Sequence, residues 1–407
     1  MFNMDITSPK KFATIQFQLD WKSEYVRHSD CFVAQQVNFW RDIFPPSLYE
    51  NLMNKMTGEK LSLKFAPGKI VPPLDSQKTR KIKRRQFNDQ FKPGEEITPR
   101  FGRFYPKGIL SDIAGIFRIN REPFRLTGID DDGLSVDLNH PLSLYDVNVT
   151  AKIKKVWGKS SERGGTANHW MESAAEGPGM QARWAGRPTD FFSDDPFGRT
   201  DDRQDTVFYE NPRFVQHIDD SAMENVSAIY AEFLTPGMKV LDLMSSWQSH
   251  LPENIDLSEV VGLGMNHQEL AENPRLTDYL VHDLNENTLM PFGNGEFDAV
   301  ICTVSIEYLI KPFEVFRELG RILKPGGILI VTFSNRWFPP KAIRIWSQIH
   351  EFERVGMVTE YFLESSLFTD LSTFSIRGLP RPDHDKYAKQ FALSDPIYAV
   401  TGVRAKE

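Results

Sequence analysis

Residues 317–334 read RELGRILKPGGILIVTFS. The opening RELGRIL reads as the end of an amphipathic helix. Pro325 cannot continue that helix, and Gly326 with Gly327 permits a sharp reversal. Ile328 to Phe333 is then an almost unbroken apolar run, the pattern of a strand covered on both faces. Helix, reversal and buried strand together predict one unit of a parallel sheet layered with helices.

The same alternation extends in both directions from this stretch. KVLDLM (239–244), EVVGLGM (259–265), YLVHDL (279–284) and FDAVICTV (297–304) are short apolar runs separated by helical or loop segments. Before them, HIDDSAMENVSAIYAEFL (217–234) reads as a helix, with Asp219 or Asp220 placed to cap it and the Pro236-Gly237 turn to end it. Residues 206–407 are therefore expected to form a doubly wound, Rossmann-like α/β domain. Such folds bind ligands at the carboxyl ends of their strands, which directs attention to the loop after KVLDLM. No internal repeat is apparent.

A chain of 407 residues is too long for one ordinary core, and two domains with a linker are expected. Residues 1–157 alternate apolar and polar positions in ATIQFQLDW, KLSLKFAPG and YDVNVTAKIKKVW, predicting a mainly β domain; SLYENLMNKM suggests a short helix within it. Residues 158–205 are rich in glycine, proline and acids and predict an extended linker. Its Trp170, Trp184, Phe191, Phe192 and Phe197 suggest that it lies along the domains rather than hanging free. The net charge of −7 argues against nucleic acid or a membrane surface as main partner, despite the basic run Lys78 to Arg85. Cys31 and Cys302 are too few and too far apart for a disulfide framework or a zinc site, and no metal is expected. With no apolar run long enough to span a bilayer, a cytoplasmic location is expected.

PGMKVLDL, FDAVICTVSIEYL and RELGRILKPGGILIVTFS resemble the first strand, the fourth strand and the helix, turn and fifth strand of class I methyltransferases, particularly methyltransferase type 11. The resemblance implies S-adenosylmethionine as cofactor. It implies that Asp242 holds the methionine portion or orders the loop, and that Asp283, followed by Leu284, lies near the adenine. Two departures stand out. Three glycines of the family loop are Met244, Ser246 and Gln248 here, leaving Ser245 and Ser246 to cradle the cofactor. The ribose-binding acid after the second strand is Gly264, leaving Asn266 or Glu269 as substitutes. On the acceptor side, Tyr209, Arg213 and His217 are expected in a lid, with Glu307 and Tyr308 after the fourth strand and Asn335, Arg336 and Trp337 after the fifth. Local pairing of Arg213 with Asp219 or Glu210, and capping of a helix by His217, are the structural alternatives. His217 or His250 is the candidate base. The methyl acceptor, small molecule or protein, is left open.

FPPSLYENLMNKMTGEKLSLKFAP and GLSVDLNHPLSLYDVNVTAKIKKV are similar to segments of FKBP-type, SlyD-like prolyl isomerases, with Asn139, His140, Pro141 and Leu142 as the hallmark. Residues 71–124 would replace the flap. Leu48 and Val149 fall where that family has aromatic pocket walls, so the resemblance implies polypeptide binding rather than isomerase catalysis. The competing reading of the whole chain is a non-enzymatic, chaperone-like adaptor built from two degenerate enzyme folds.

Overall fold

The computed structural model describes residues 6–92, 94, 96–158 and 165–406. The chain opens with strands β1 (Lys11–Lys22) and β2 (Arg27–Asn38), helix α1 (Pro46–Leu52) and β3 (Lys60–Phe65). Four short strands follow: β4 (Thr79–Ile82), β5 (Phe104–Pro106), β6 (Pro123–Asp130) and β7 (Gly133–Asp137). After β8 (Val147–Gly158) come α2 (Trp170–Ala175), α3 (Asp205–Phe208) and α4 (Asp220–Phe233). The next group is β9 (Lys239–Ser245), β10 (Glu259–Gly264), α5 (His267–Ala271), β11 (Asp278–Val281) and β12 (Phe297–Thr303). The last is α6 (Pro312–Ile322), β13 (Leu323–Ser334), α7 (Arg344–Gln348), α8 (Glu351–Ser365), β14 (Phe368–Arg377) and β15 (Ile397–Arg404).

Strands β9 to β13 pair in parallel, as their apolar runs predict, and β15 joins antiparallel to β13. In the decisive stretch, α6 stops at Ile322, and Leu323 already pairs with Phe297 before the reversal at Gly326, φ +83°. A left-handed φ of this kind is what glycine tolerates without steric cost. Helices cover both faces: α6 and α8 pack over one core with Phe297, Leu329 and Val331, while α4 covers the other with Ala299, Ile301 and Ile330.

The N-terminal strands do not stand apart. The main sheet has eleven strands in the order β11-β10-β9-β12-β13-β15-β14-β2-β1-β8-β3, so β14 offers a parallel edge to β2. Polar side chains buried at that seam are matched. His28 Nδ1 meets Thr373 Oγ1 at 2.7 Å, and Asp30 accepts from Ser375 Oγ and Trp21 Nε1 at 2.8 Å each. The strands expected in residues 1–157 therefore continue the sheet of the C-terminal half through β2 and β14. Only β4, β7, β6 and β5 form a separate small sheet, in the stretch between β3 and β8. The expected linker is also built in. Within it, α2 and the side chains of Met171, Met180 and Phe191 are buried in the cores, while residues 159–164 lie outside the described residues.

Candidate functional site

Strand order reverses between β9 and β12, and their carboxyl ends open into a cleft of about 1210 Å³, its mouth included. A switch point of this kind is where doubly wound sheets hold ligands. The floor is set by an irregularity at the end of β9. Leu263 pairs with Leu243, but Gly264 pairs with Ser245, so Met244 is bulged out of register at φ +56°. The bulge lays the Ser245 carbonyl over Gly264, where an added Cβ would sit 2.2 Å from that oxygen. Any side chain at residue 264 would require the Ser245 backbone to shift.

The bulge also turns Ser246 toward α5. Ser246 Oγ donates to Glu269 Oε2 at 2.6 Å, and the Arg213 backbone N–H donates to Glu269 Oε1 at 2.7 Å. Glu269, half-buried in the first turn of α5, thereby brings a fixed carboxylate into the cleft. Asn266 is engaged otherwise. Its Oδ1 caps α5 by accepting from Gln268 N and Glu269 N, and its Nδ2 donates to the carbonyls of Tyr209 and Glu210. Beneath the floor, Ser245 Oγ donates to Asp242 Oδ2 at 2.6 Å, and complete burial pushes the Asp242 carboxyl up to about 7.

On the far wall Asp283 Oδ1 accepts from Asn285 N at 2.8 Å. Asn285 Nδ2 reaches both Asp205 Oδ2 and the Tyr308 carbonyl, and Asp205 is paired with Arg199 and with the buried Lys341 Nζ at 3.0 Å. The lid runs from α3 to α4. Its Arg213 donates from Nη2 to the Phe208 carbonyl at 2.9 Å, and its guanidinium lies 4.4 Å from the Phe208 ring and 5.3 Å from that of Phe338. His217 keeps an exposed edge and meets Phe338 edge-on at 5.0 Å. Desolvation lowers the pKa of His217 and takes His250 down to about 4, so the neutral imidazole is favoured at both.

Of the site residues expected from sequence, Tyr209, Arg213, His217, Asp242, Ser245, Ser246, His250, Asn266, Glu269, Asp283, Leu284 and Tyr308 line this cleft. Glu307 does not. Its side chain is fully buried, both carboxyl oxygens lack a hydrogen-bond partner among the described residues, and burial pushes its pKa up to about 8. It turns into the core because the helical turn after β12 presents Tyr308, the next residue, to the cleft. Arg213 pairs with neither Asp219 nor Glu210 among the described residues, and Asp219 itself caps α4, so His217 is not needed there. Arg336 faces Asp395 and Trp337 stacks on Arg354, leaving Phe338 as the cleft residue of that segment. Sequence reasoning missed Phe338, Asp205 and Asn285. Asn285, two residues after Asp283, was within reach of a motif reading; Asp205, in the acidic run DDRQD, carried no distinguishing signal.

Strand order, switch point and cleft define a doubly wound, Rossmann-like α/β unit in the C-terminal half. Residues 248–331 match the family described as Methyltransferase domain. An 85-residue segment is 39% identical to ubiquinone biosynthesis O-methyltransferase of Dechloromonas aromatica, covering 20% of this chain and 34% of that protein. A 107-residue segment is 29% identical to demethylmenaquinone methyltransferase of Renibacterium salmoninarum, covering 26% and 45%. The chain spans less than half the length of either relative. Among solved structures, an S-adenosylmethionine-dependent methyltransferase from Mesorhizobium loti aligns with a TM-score of 0.31 and 16% identity, over 46% of this chain and 99% of that one.

Proposed function

We propose that this protein is an S-adenosylmethionine-dependent methyltransferase with a rebuilt ribose clamp. The observation that carries the reading is Glu269. The donor set of the cleft fits the cofactor, because each oxygen of this carboxylate accepts one protein hydrogen bond and keeps a lone pair for a ribose hydroxyl. Asp283 and Leu284 would hold the adenine, Glu269 the ribose, and the Ser245-Ser246 loop above Asp242 the methionine portion. The bound cofactor supplies an electrophilic methyl group on positively charged sulfur. The chain's own task is to position the acceptor and to exclude water, since in-line methyl transfer needs little else. Neutral His217, with an exposed edge at the cleft, is available to take a proton from an acceptor that must lose one, whereas His250, taken down to about 4, is too weak a base for that role. Titration with S-adenosylhomocysteine tests the reading: saturable binding is expected, and its absence at millimolar ligand would leave the adaptor alternative.

The N-terminal segment is read as a docking element for a polypeptide. Leu48 and Val149 are fully buried, so neither offers a wall to a proline ring, whereas Phe117 and Ile119 beside the small sheet are 71% and 88% exposed. Replacing both with serine is expected to abolish capture of an unfolded test protein in an aggregation assay. Unchanged capture contradicts the docking role.

A further inference from the structure

Among the described residues, Arg213 is the only lysine or arginine that lines the cleft. It differs from the cations around it. Arg199 and Lys341 are paired with Asp205, Arg336 with Asp395, and Arg381 with Asp219 and Asp395. Arg213 has no carboxylate within ion-pair distance among the described residues; its one side-chain hydrogen bond goes to the Phe208 carbonyl. The guanidinium has five donors in a planar fork, so most remain to be matched.

Its surroundings are aromatic. Phe208, Tyr209 and Phe338 lie 4.4, 5.6 and 5.3 Å from the guanidinium carbon, and Phe338 stacks on Tyr308 with ring centroids 6.1 Å apart. Such walls keep the cation's position and orientation fixed and shield it from water, which strengthens a charge-assisted bond. Of the cleft carboxylates, Asp205 is already paired with Arg199 and Lys341, whereas Glu269 and Asp283, which follow β10 and β11, have no cationic side-chain partner among the described residues. Glu269 and Asp283 suit a cationic donor, and Arg213 is the one cation of the lining among the described residues left for an anionic group.

Resting on the methyltransferase reading, we propose that Arg213 binds a carboxylate of the methyl acceptor, a flat organic acid whose body lies against Tyr308 and Phe338. A planar carboxylate matches the fork of guanidinium donors. Val215 and Trp247, the latter packed edge-on against Phe214, add apolar surface to the lining that suits an apolar extension of the acid.

The test uses the full chain saturated with S-adenosylhomocysteine and two probes of one shape, benzoate and benzamide. Benzoate is expected to bind at least roughly tenfold more tightly than benzamide, and Arg213→Gln to remove that preference. Equal binding of the two probes by the wild-type chain would overturn the proposal, and this comparison needs no variant. The donor's own carboxylate is the competing source. If Arg213→Gln weakens S-adenosylhomocysteine more than roughly tenfold but leaves 5′-methylthioadenosine, which lacks that group, unchanged, Arg213 serves the donor and the proposal is wrong. Failure of the wild-type chain to bind S-adenosylhomocysteine at all is a different result, and it removes the methyltransferase reading itself.

Discussion

Met244 and Gly264 are coupled by the bulge at the end of β9, where Gly264 pairs with Ser245 and Met244 is left out of register. Met244 takes up a left-handed φ, at a cost on the order of 1 kcal/mol for a side chain, and Gly264 must then be bare. Gly264→Ala is expected to cost more than an ordinary surface change, about 1–3 kcal/mol, because the Ser245 backbone has to move. It should also disturb the Ser246–Glu269 bond and weaken nucleoside binding; chemical denaturation and titration check the two effects. Glu269→Gln is expected to reduce S-adenosylhomocysteine affinity at least tenfold or so, and to matter far less for an analogue without ribose hydroxyls. Glu307 makes a prediction about pH. Its folded pKa, about 8, lies above its ordinary value of 4.5, so the folded state keeps a proton that the unfolded chain releases. Wild-type stability therefore loses this contribution as pH rises from about 4.5 through about 8. In denaturation at pH 5 and pH 8, Glu307→Gln should gain on the wild type as pH rises, and a constant difference would contradict the account.

At the scale of elements, legibility followed the range of the forces involved. Strands β9, β10, β12 and β13 were readable because each carries its own apolar run, and α4 because Asp219 marks its start. That aspartate does more than cap. It accepts from Ala222 N at 3.0 Å and Ser394 Oγ at 2.7 Å, and it pairs with the buried Arg381 at 3.1 Å. Asp219→Ala should cost about 2–3 kcal/mol, beyond a simple cap, because Ser394 Oγ and the Asp395 N–H also lose their acceptor while Arg381 keeps Asp385 and Asp395. A loss near 1 kcal/mol in thermal denaturation would show that the network adds nothing to the cap. The cleft residues that follow a strand end, such as Ser245, Ser246 and Asp283, were legible for the same local reason. Phe338 and the inward turn of Glu307 were not, since both depend on contacts between segments far apart in sequence: Phe338 with Phe208 and Tyr308, and the Glu307 carbonyl with Ile343 N. The β2–β14 pairing was invisible too: its partners lie some 340 residues apart, and nothing in RHSDCFVAQQVN names FTDLSTFSIR as its neighbour.

For the whole molecule, that pairing makes the two halves one sheet. Calorimetry of the full chain is expected to show a single unfolding transition, and two separated transitions would mean that the halves are independent domains. The methyltransferase reading rests on the cleft of the C-terminal half, at the far side of that sheet from β3. Its most direct test is isothermal titration of the full chain with S-adenosylhomocysteine, beside Glu269→Gln under the same conditions. The account predicts one saturable site on the wild type and markedly weaker binding by the variant. No heat with the wild type at millimolar ligand, or equal affinity in both proteins, would contradict it.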